Sequence, residues 1–227
     1  MSERNSQHLL NYQQFYSLTC VIIMISFIGC SKDYKVVKPE NTKTWMCNEH
    51  ANGAIKNGDY KSGISLHQRI LAAEPKNSLA MYHLGYALGC IGDHKQEVYY
   101  YEKAISHGYN QDNNLYYNLG MAYGELDMPA KAVFAFKSAI DINPTSADSH
   151  FGLALAYEAN INFKLAEDEY LKAIKIDPKH LDARMHLSIL YTDMGDLQKA
   201  CDQLKKILEI DPTNESARKF LENIEKE

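Results

Sequence analysis

Residues 143–146 read NPTS, residues 177–180 read DPKH and residues 211–214 read DPTN, so an Asn-Pro or Asp-Pro step returns every 34 residues. A fixed period of this length is the signature of stacked supersecondary units. Carried backwards, the frame meets Glu74-Pro75. Numbering each unit from place 1 to place 34 gives units at 44–77, 78–111, 113–146, 147–180 and 181–214, with Asp112 as a single insertion.

Aligned in this frame, the units share a pattern of sizes. Place 8 holds Ala51, Gly85, Gly120, Ala154 and Ser188; place 20 holds Gly63, Ala132, Ala166 and Ala200; place 27 holds Ala104, Ala139 and Ala173. Small residues at these places let two helix backbones approach closely. Large residues fill the space between: Leu84, Leu119, Leu153 and Leu187 at place 7, Tyr123, Tyr157 and Tyr191 at place 11, and Tyr101, Phe136, Tyr170 and Leu204 at place 24. Gly58-Asp59, Gly92-Asp93 and Gly195-Asp196 mark a turn between two helices, because glycine ends a helix readily in the left-handed region.

This period and these residues resemble the tetratricopeptide repeat family, over about three quarters of the chain. The resemblance implies an all-α fold, a right-handed α-solenoid of tandem helix-turn-helix repeats. Two departures mark the second repeat as the most irregular joint: Glu97 replaces the small residue of place 20, and Tyr109 stands where proline is usual. Gly108 is expected to stop the helix there, with Asp112 or Asn113 as the next N-cap. Pro129 opens the second helix of the third repeat, a position that tolerates proline. Residues 215–227 place Ala217, Phe220, Leu221 and Ile224 on one face and read as the capping helix that an open-ended solenoid requires.

At ~100° per residue, places 4, 7, 8 and 11 of the first helix form one stripe, the core. Places 2, 5, 9 and 12 form a second stripe, which in the family lines the concave groove. Here place 5 carries Tyr82, Tyr117, Phe151 and Met185, and place 9 carries Tyr86, Met121, Leu155 and Ile189. Around them Glu125, Asp148, Glu158, Asp182 and Asp193 stand at places 2, 12 and 13 as a groove rim. These are the candidate protein-binding residues. Packing within the solenoid is the competing reading for the apolar set, and a solvated face for the acids. Family members that clamp a C-terminal carboxylate use Lys at place 5 and Asn at place 9; this chain has only Asn52, so that ligand is not expected.

Residues 18–28, LTCVIIMISFI, form an apolar run of eleven residues, against the ~20 a membrane-spanning helix needs. The run fits the apolar part of a signal peptide. Phe27-Ile28-Gly29-Cys30-Ser31 then resembles the lipobox of bacterial lipoproteins, with Phe27 in place of the usual Leu. The organisation expected is a lipoprotein-type signal peptide at 1–29, a flexible tether at 30–43, five repeats at 44–214 and a capping helix at 215–227, with Cys30 lipidated. An uncleaved short anchor and an ordinary signal stay open. Ser31 after the cysteine resembles the sorting context of the bacterial outer membrane, with the inner membrane as the alternative.

The remaining chemistry narrows the function by class. The 24 Lys and Arg are outnumbered by 29 Asp and Glu and form no dense block, so nucleic acid is not an expected partner. Cys20, Cys30, Cys47, Cys90 and Cys201 make no Cys-x-x-Cys pair, and the nine histidines are scattered, so neither a metal site nor an intramolecular disulfide is expected. No cofactor-binding loop and no nucleophile-base pair can be named. The expected function is a membrane-tethered scaffold or adaptor of the bacterial cell envelope, an assembly factor resembling pilotins. Its partner is a protein or peptide with an amphipathic or apolar segment that carries basic residues. A cytosol-facing, membrane-anchored receptor is the alternative, and an enzyme comes last.

Overall fold

The computed structural model describes residues 49–225. The apolar run, Cys30, the tether, the first residues of the first repeat and the two C-terminal residues lie outside this range. The helices run in chain order: α1 (Glu49–Lys56), α2 (Tyr60–Ala73), α3 (Ser78–Cys90), α4 (His94–Ser106), α5 (Asn113–Glu125), α6 (Pro129–Ile142), α7 (Ala147–Ala159), α8 (Phe163–Ile176), α9 (Leu181–Asp193), α10 (Leu197–Ile210) and α11 (Glu215–Ile224). Every pair falls inside one 34-residue unit, and the described residues form an all-α solenoid. Each helix packs chiefly on its sequence neighbours. First helices of successive repeats, α3 with α5 and α5 with α7, also touch across the repeats. They therefore line the inner side of the curve.

Size complementarity between places 8 and 24 holds each pair together. A Cβ added to Gly85 would lie 2.8 Å from the ring of Tyr101, and one added to Gly120 would lie 2.8 Å from the ring of Phe136. The glycine at place 8 is thus the socket for the aromatic ring at place 24. In the later repeats Ala154 and Ser188 fill the same role with 0% exposure. The place 11 tyrosines link neighbouring repeats: the Tyr123 hydroxyl donates to Glu102 Oε1 at 2.6 Å and the Tyr191 hydroxyl to Glu167 Oε1 at 3.0 Å.

The irregular second repeat is closed by compensating changes. Glu97 is buried, and its carboxylate lies directly against Gly89, whose missing side chain makes the room. His94 Nδ1 sits 2.9 Å from Glu97 Oε2. Burial raises the Glu97 pKa, partly offset by His94, and the bond to Glu97 raises that of His94. Gly108 turns the chain at φ +93° as expected. Tyr109 is buried, stacks on Tyr82 at 5.0 Å and donates its hydroxyl to Asp112 Oδ2 at 2.6 Å. Asp112 in turn caps α5 through Asn114 N–H, and Pro129 opens α6. Beyond the fifth repeat, α11 covers the end of the core with Ala217 and Ile224 buried and Phe220 and Leu221 packed beside them. Cys90 and Cys201 are thiols, on α3 and α10.

The turns within repeats reveal something the sequence hides. Gly58, Gly92 and Gly195 occupy place 15 at φ +77°, +82° and +79°. The third and fourth repeats make the same turn without glycine, with Asp127 at φ +56° and Ile161 at φ +61°. For a β-branched residue this region is strained. Ile161→Gly is expected to stabilise the fold by about 1 kcal/mol, since L-residues are disfavoured there by ~1–2 kcal/mol and glycine loses part of that gain to chain entropy. A rise in the urea midpoint measures it; an unchanged or lowered midpoint contradicts the strain.

Candidate binding groove

The inner face is built from α3, α5, α7 and α9, and place decides what each side chain offers. Place 9 gives Tyr86, Met121, Leu155 and Ile189, all half-buried. Tyr86 and Met121 pack against the core of the first three repeats and Leu155 against that of the last two. At place 5, Tyr117 and Met185 are half-buried in the same manner. By their places in the repeat these six side chains belong to the stripe expected to line the groove.

Three candidate residues are corrected. Tyr82 is 2% exposed and Phe151 6% exposed, so neither lines an open groove. Tyr82 is covered by the stacked ring of Tyr109, and Phe151 by His180 and His186 at 5.0 and 5.4 Å. Glu158 is also buried and accepts the Tyr170 hydroxyl at 2.5 Å. Its place 12 lies four residues after place 8, only ~40° further round the helix, so it faces the second helix rather than the groove. Glu125 and Asp193 are exposed at the far end of the first helices, as a rim residue would be.

Asp148 and Asp182 stand at equivalent positions in the first turns of α7 and α9. Both lie close enough to Tyr117 to raise its phenol pKa, after the larger effect of burial. Burial likewise raises the Asp182 carboxyl, with Asp148 adding to it and His180 opposing. His180 lowers that of Asp148, its Nε2 lying 3.5 Å from Asp148 Oδ1. Sequence reasoning missed this histidine. It is the N-cap of α9, where Nδ1 accepts the Ala183 N–H at 3.2 Å and leaves Nε2 on the side of Asp148. His186, packed among Phe151, Tyr170 and His180, has its pKa pushed down to about 4 by burial and stays neutral.

The groove therefore offers an apolar row and, near the N-terminal ends of α7 and α9, two carboxylates beside a phenol. That suits a segment with apolar side chains and a cation. The buried carboxylates are engaged inside the structure: Glu169 with His150 and Lys172, Glu167 with Lys164 and Tyr191, Glu97 with His94, Glu158 with Tyr170. Among the described residues no three His, Cys, Asp or Glu side chains are grouped to hold a metal ion. None of their helices is long and apolar enough to cross a membrane.

Comparison with known proteins agrees with this architecture. Models of the tetratricopeptide repeat match residues 48–113, 114–146 and 162–224. The type IV pilus assembly protein PilF of Pseudomonas aeruginosa is 30% identical over 84 residues, 37% of this chain; the match spans about a third of that protein, 32% of its length. Among solved structures, MamA superposes with a TM-score of 0.70 at 24% identity, over 75% of this chain and 99% of that one. YrrB, described as a TPR protein with an unusual peptide-binding site, gives 0.66 at 21% identity, over 74% of this chain and 86% of its own. At these identities the structural likeness establishes the fold. With the repeat models covering most of the chain and the same helix pairs seen in space, the protein belongs to the tetratricopeptide repeat family.

Proposed function

We propose that this chain is a membrane-tethered scaffold of the bacterial cell envelope that holds a protein or peptide partner in its concave groove. Tetratricopeptide repeats imply a scaffold for protein–protein interaction, and the finer reading rests on particular residues. The observation that carries it is the row of Tyr86, Tyr117, Met121, Leu155, Met185 and Ile189, half-buried and apolar, beside Asp148 and Asp182. Aromatic and methionine side chains give large contact area that adapts to a partner's shape. The carboxylates orient a basic segment and speed its encounter. Nucleic acid would be repelled by the same charges. No residue is assigned a catalytic, cofactor or metal role.

The anchor is the lipid on Cys30 after removal of a signal peptide at 1–29, with residues 30–43 as the tether, at the periplasmic face of the outer membrane; the inner membrane is the second reading. The resemblance to a pilus assembly protein supports an assembly role. Labelling with a radioactive fatty acid tests the anchor: the wild-type chain takes up label and Cys30→Ala does not. An unlabelled wild-type chain removes the lipidation reading.

For the groove, Met121→Ala and Leu155→Ala are each expected to weaken a crosslink-identified, purified partner by ~1–2 kcal/mol. Asp148→Asn with Asp182→Asn is expected chiefly to slow association and flatten its salt dependence. Phe134→Ala, on the exposed side of α6, serves as the control. Binding unchanged by the groove variants but lost in the control places the partner elsewhere.

A further inference from the structure

Four turns within repeats present a large apolar side chain to solvent: Ile91, Met128, Ile161 and Met194 are 50%, 37%, 68% and 50% exposed. All lie at places 14 to 16, on the one edge where first helix turns into second. Two of them stand against local preference. Ile161 holds φ +61° where three other repeats have glycine. Met128 stands at an N-cap with no capping bond, where Asp59, Asp93 and Asp196 each cap their helix. Neither residue serves the isolated fold, because both would be better replaced for backbone geometry and for solvation.

The charges on this edge alternate with the apolar tips. The third turn carries Glu125 and Asp127. The fourth, Asn160-Ile161-Asn162, carries no acid and is followed by Lys164, whose side chain is 74% exposed and pairs along its own helix with Glu167 at 2.8 Å and Asp168 at 3.6 Å. At the fifth turn Asp193 and Asp196 accompany Lys199, and at the second Asp93 accompanies Lys95. Acids beside the lysines leave no cationic excess to draw an anionic bilayer. Interspersed signs around apolar tips suit a protein surface, and the exposed Lys164 beside the fourth turn complements Glu125 and Asp127 of the third.

We propose that this edge docks a second copy of the chain, antiparallel, about a two-fold axis between the third and fourth turns. Under that axis the third turn of one copy faces the fourth of the other, and the second faces the fifth. Met128 then meets Ile161 and Lys164 meets the acids of the third turn, each twice over. Ile91 meets Met194 in the same way. Making every contact twice is the mark of an isologous interface. The partner copy supplies the burial that an exposed isoleucine in a strained turn lacks in the monomer. The concave groove stays open in such a dimer, because the axis runs through the turn edge.

The test uses the full chain in non-ionic detergent, with photoreactive benzoylphenylalanine in place of Ile161, as a mixture of nitrogen-14 and nitrogen-15 copies. Irradiation is expected to give a mixed-isotope dimer whose new bond maps to residues 125–131 of the other copy. The same probe in place of Phe134, exposed on α6 and outside the turns, gives no such bond. Lys164→Glu is expected to lower the yield about tenfold, equivalent to ~1.4 kcal/mol of association energy. Adding Asp127→Lys to Lys164→Glu is expected to restore it, with circular dichroism unchanged in both. Absence of a dimer, a bond to residues outside the second to fifth turns, a bond to a different protein, or a double variant that stays low while folded would each overturn the proposal.

Discussion

Phe136→Ala is expected to lower stability by about 3 to 5 kcal/mol, the upper range for loss of a buried aromatic side chain. Phe136 is 3% exposed and its ring lies against Gly120 in its own repeat and Gly152 in the next. One ring therefore fills the space between α5, α6 and α7. Neither glycine can expand into the void, so the cavity term adds to the lost transfer energy. Because repeats couple only to neighbours, amide protection should fall first in α5 through α8 and persist longest in α3 and α10. Phe134→Ala two residues away removes a ring that is 72% exposed, and should stay within about 0.5 kcal/mol of wild type. Hydrogen exchange on both variants decides the matter. A loss below about 1 kcal/mol for Phe136→Ala would mean that the two glycines are not a socket but open space.

That glycine-ring relation explains why the fold was so readable. The 34-residue period, the small residues at places 8 and 20 and the ring at place 24 all follow from one requirement, the close approach of paired helices, and each is visible as residue size alone. The cap helix was legible for the same reason, as an apolar face with no further repeat to cover it. Local substitutions with a remote partner were not legible. Glu97 looked like a defect because its compensation, Gly89, lies on the preceding helix and belongs to no general pattern. Tyr109 replaced proline and became a lid over Tyr82, which converted a groove candidate into core.

The groove residues were half legible. The half-burial of Tyr86, Met121, Leu155 and Ile189 at place 9 agrees with its angle on the helix. Place 5 sits nearer the core stripe, so its exposure depends on what the next repeat stacks upon it: Phe151 is covered by two histidines, while Tyr117 and Met185 keep an open side. His180 carried no signal because histidine is a rare N-cap, and only the Ala183 amide reveals its role. The strained turn at Ile161 was equally silent, since φ is set by the frame of its neighbours and not by the residue itself.

Removing residues 215–227 is expected to unfold the chain from its C-terminal end rather than as a whole. Without α11, Leu204 and Ile207 of α10, both 0% exposed, lose the cover of Phe220, Leu221 and Ile224. Burying three such side chains stabilises by roughly 5 kcal/mol before the entropy of ordering the helix is subtracted. The loss falls on the fifth repeat, which has one neighbour left instead of two. Amide protection across α9 and α10 should drop toward that of an unfolded chain, while α3 through α6 keep theirs, because nearest-neighbour coupling isolates them from the damaged end. Phe220→Asp should act in the same direction by forcing a carboxylate against the apolar flank of α10. If protection in α9 and α10 survives both changes, the fifth repeat is held by α8 alone and α11 is an appendage rather than a cap. If it falls throughout the solenoid instead, the repeats fold as a single cooperative body. The nearest-neighbour picture would then fail for this chain, and the local effect expected for Phe136→Ala would fail with it.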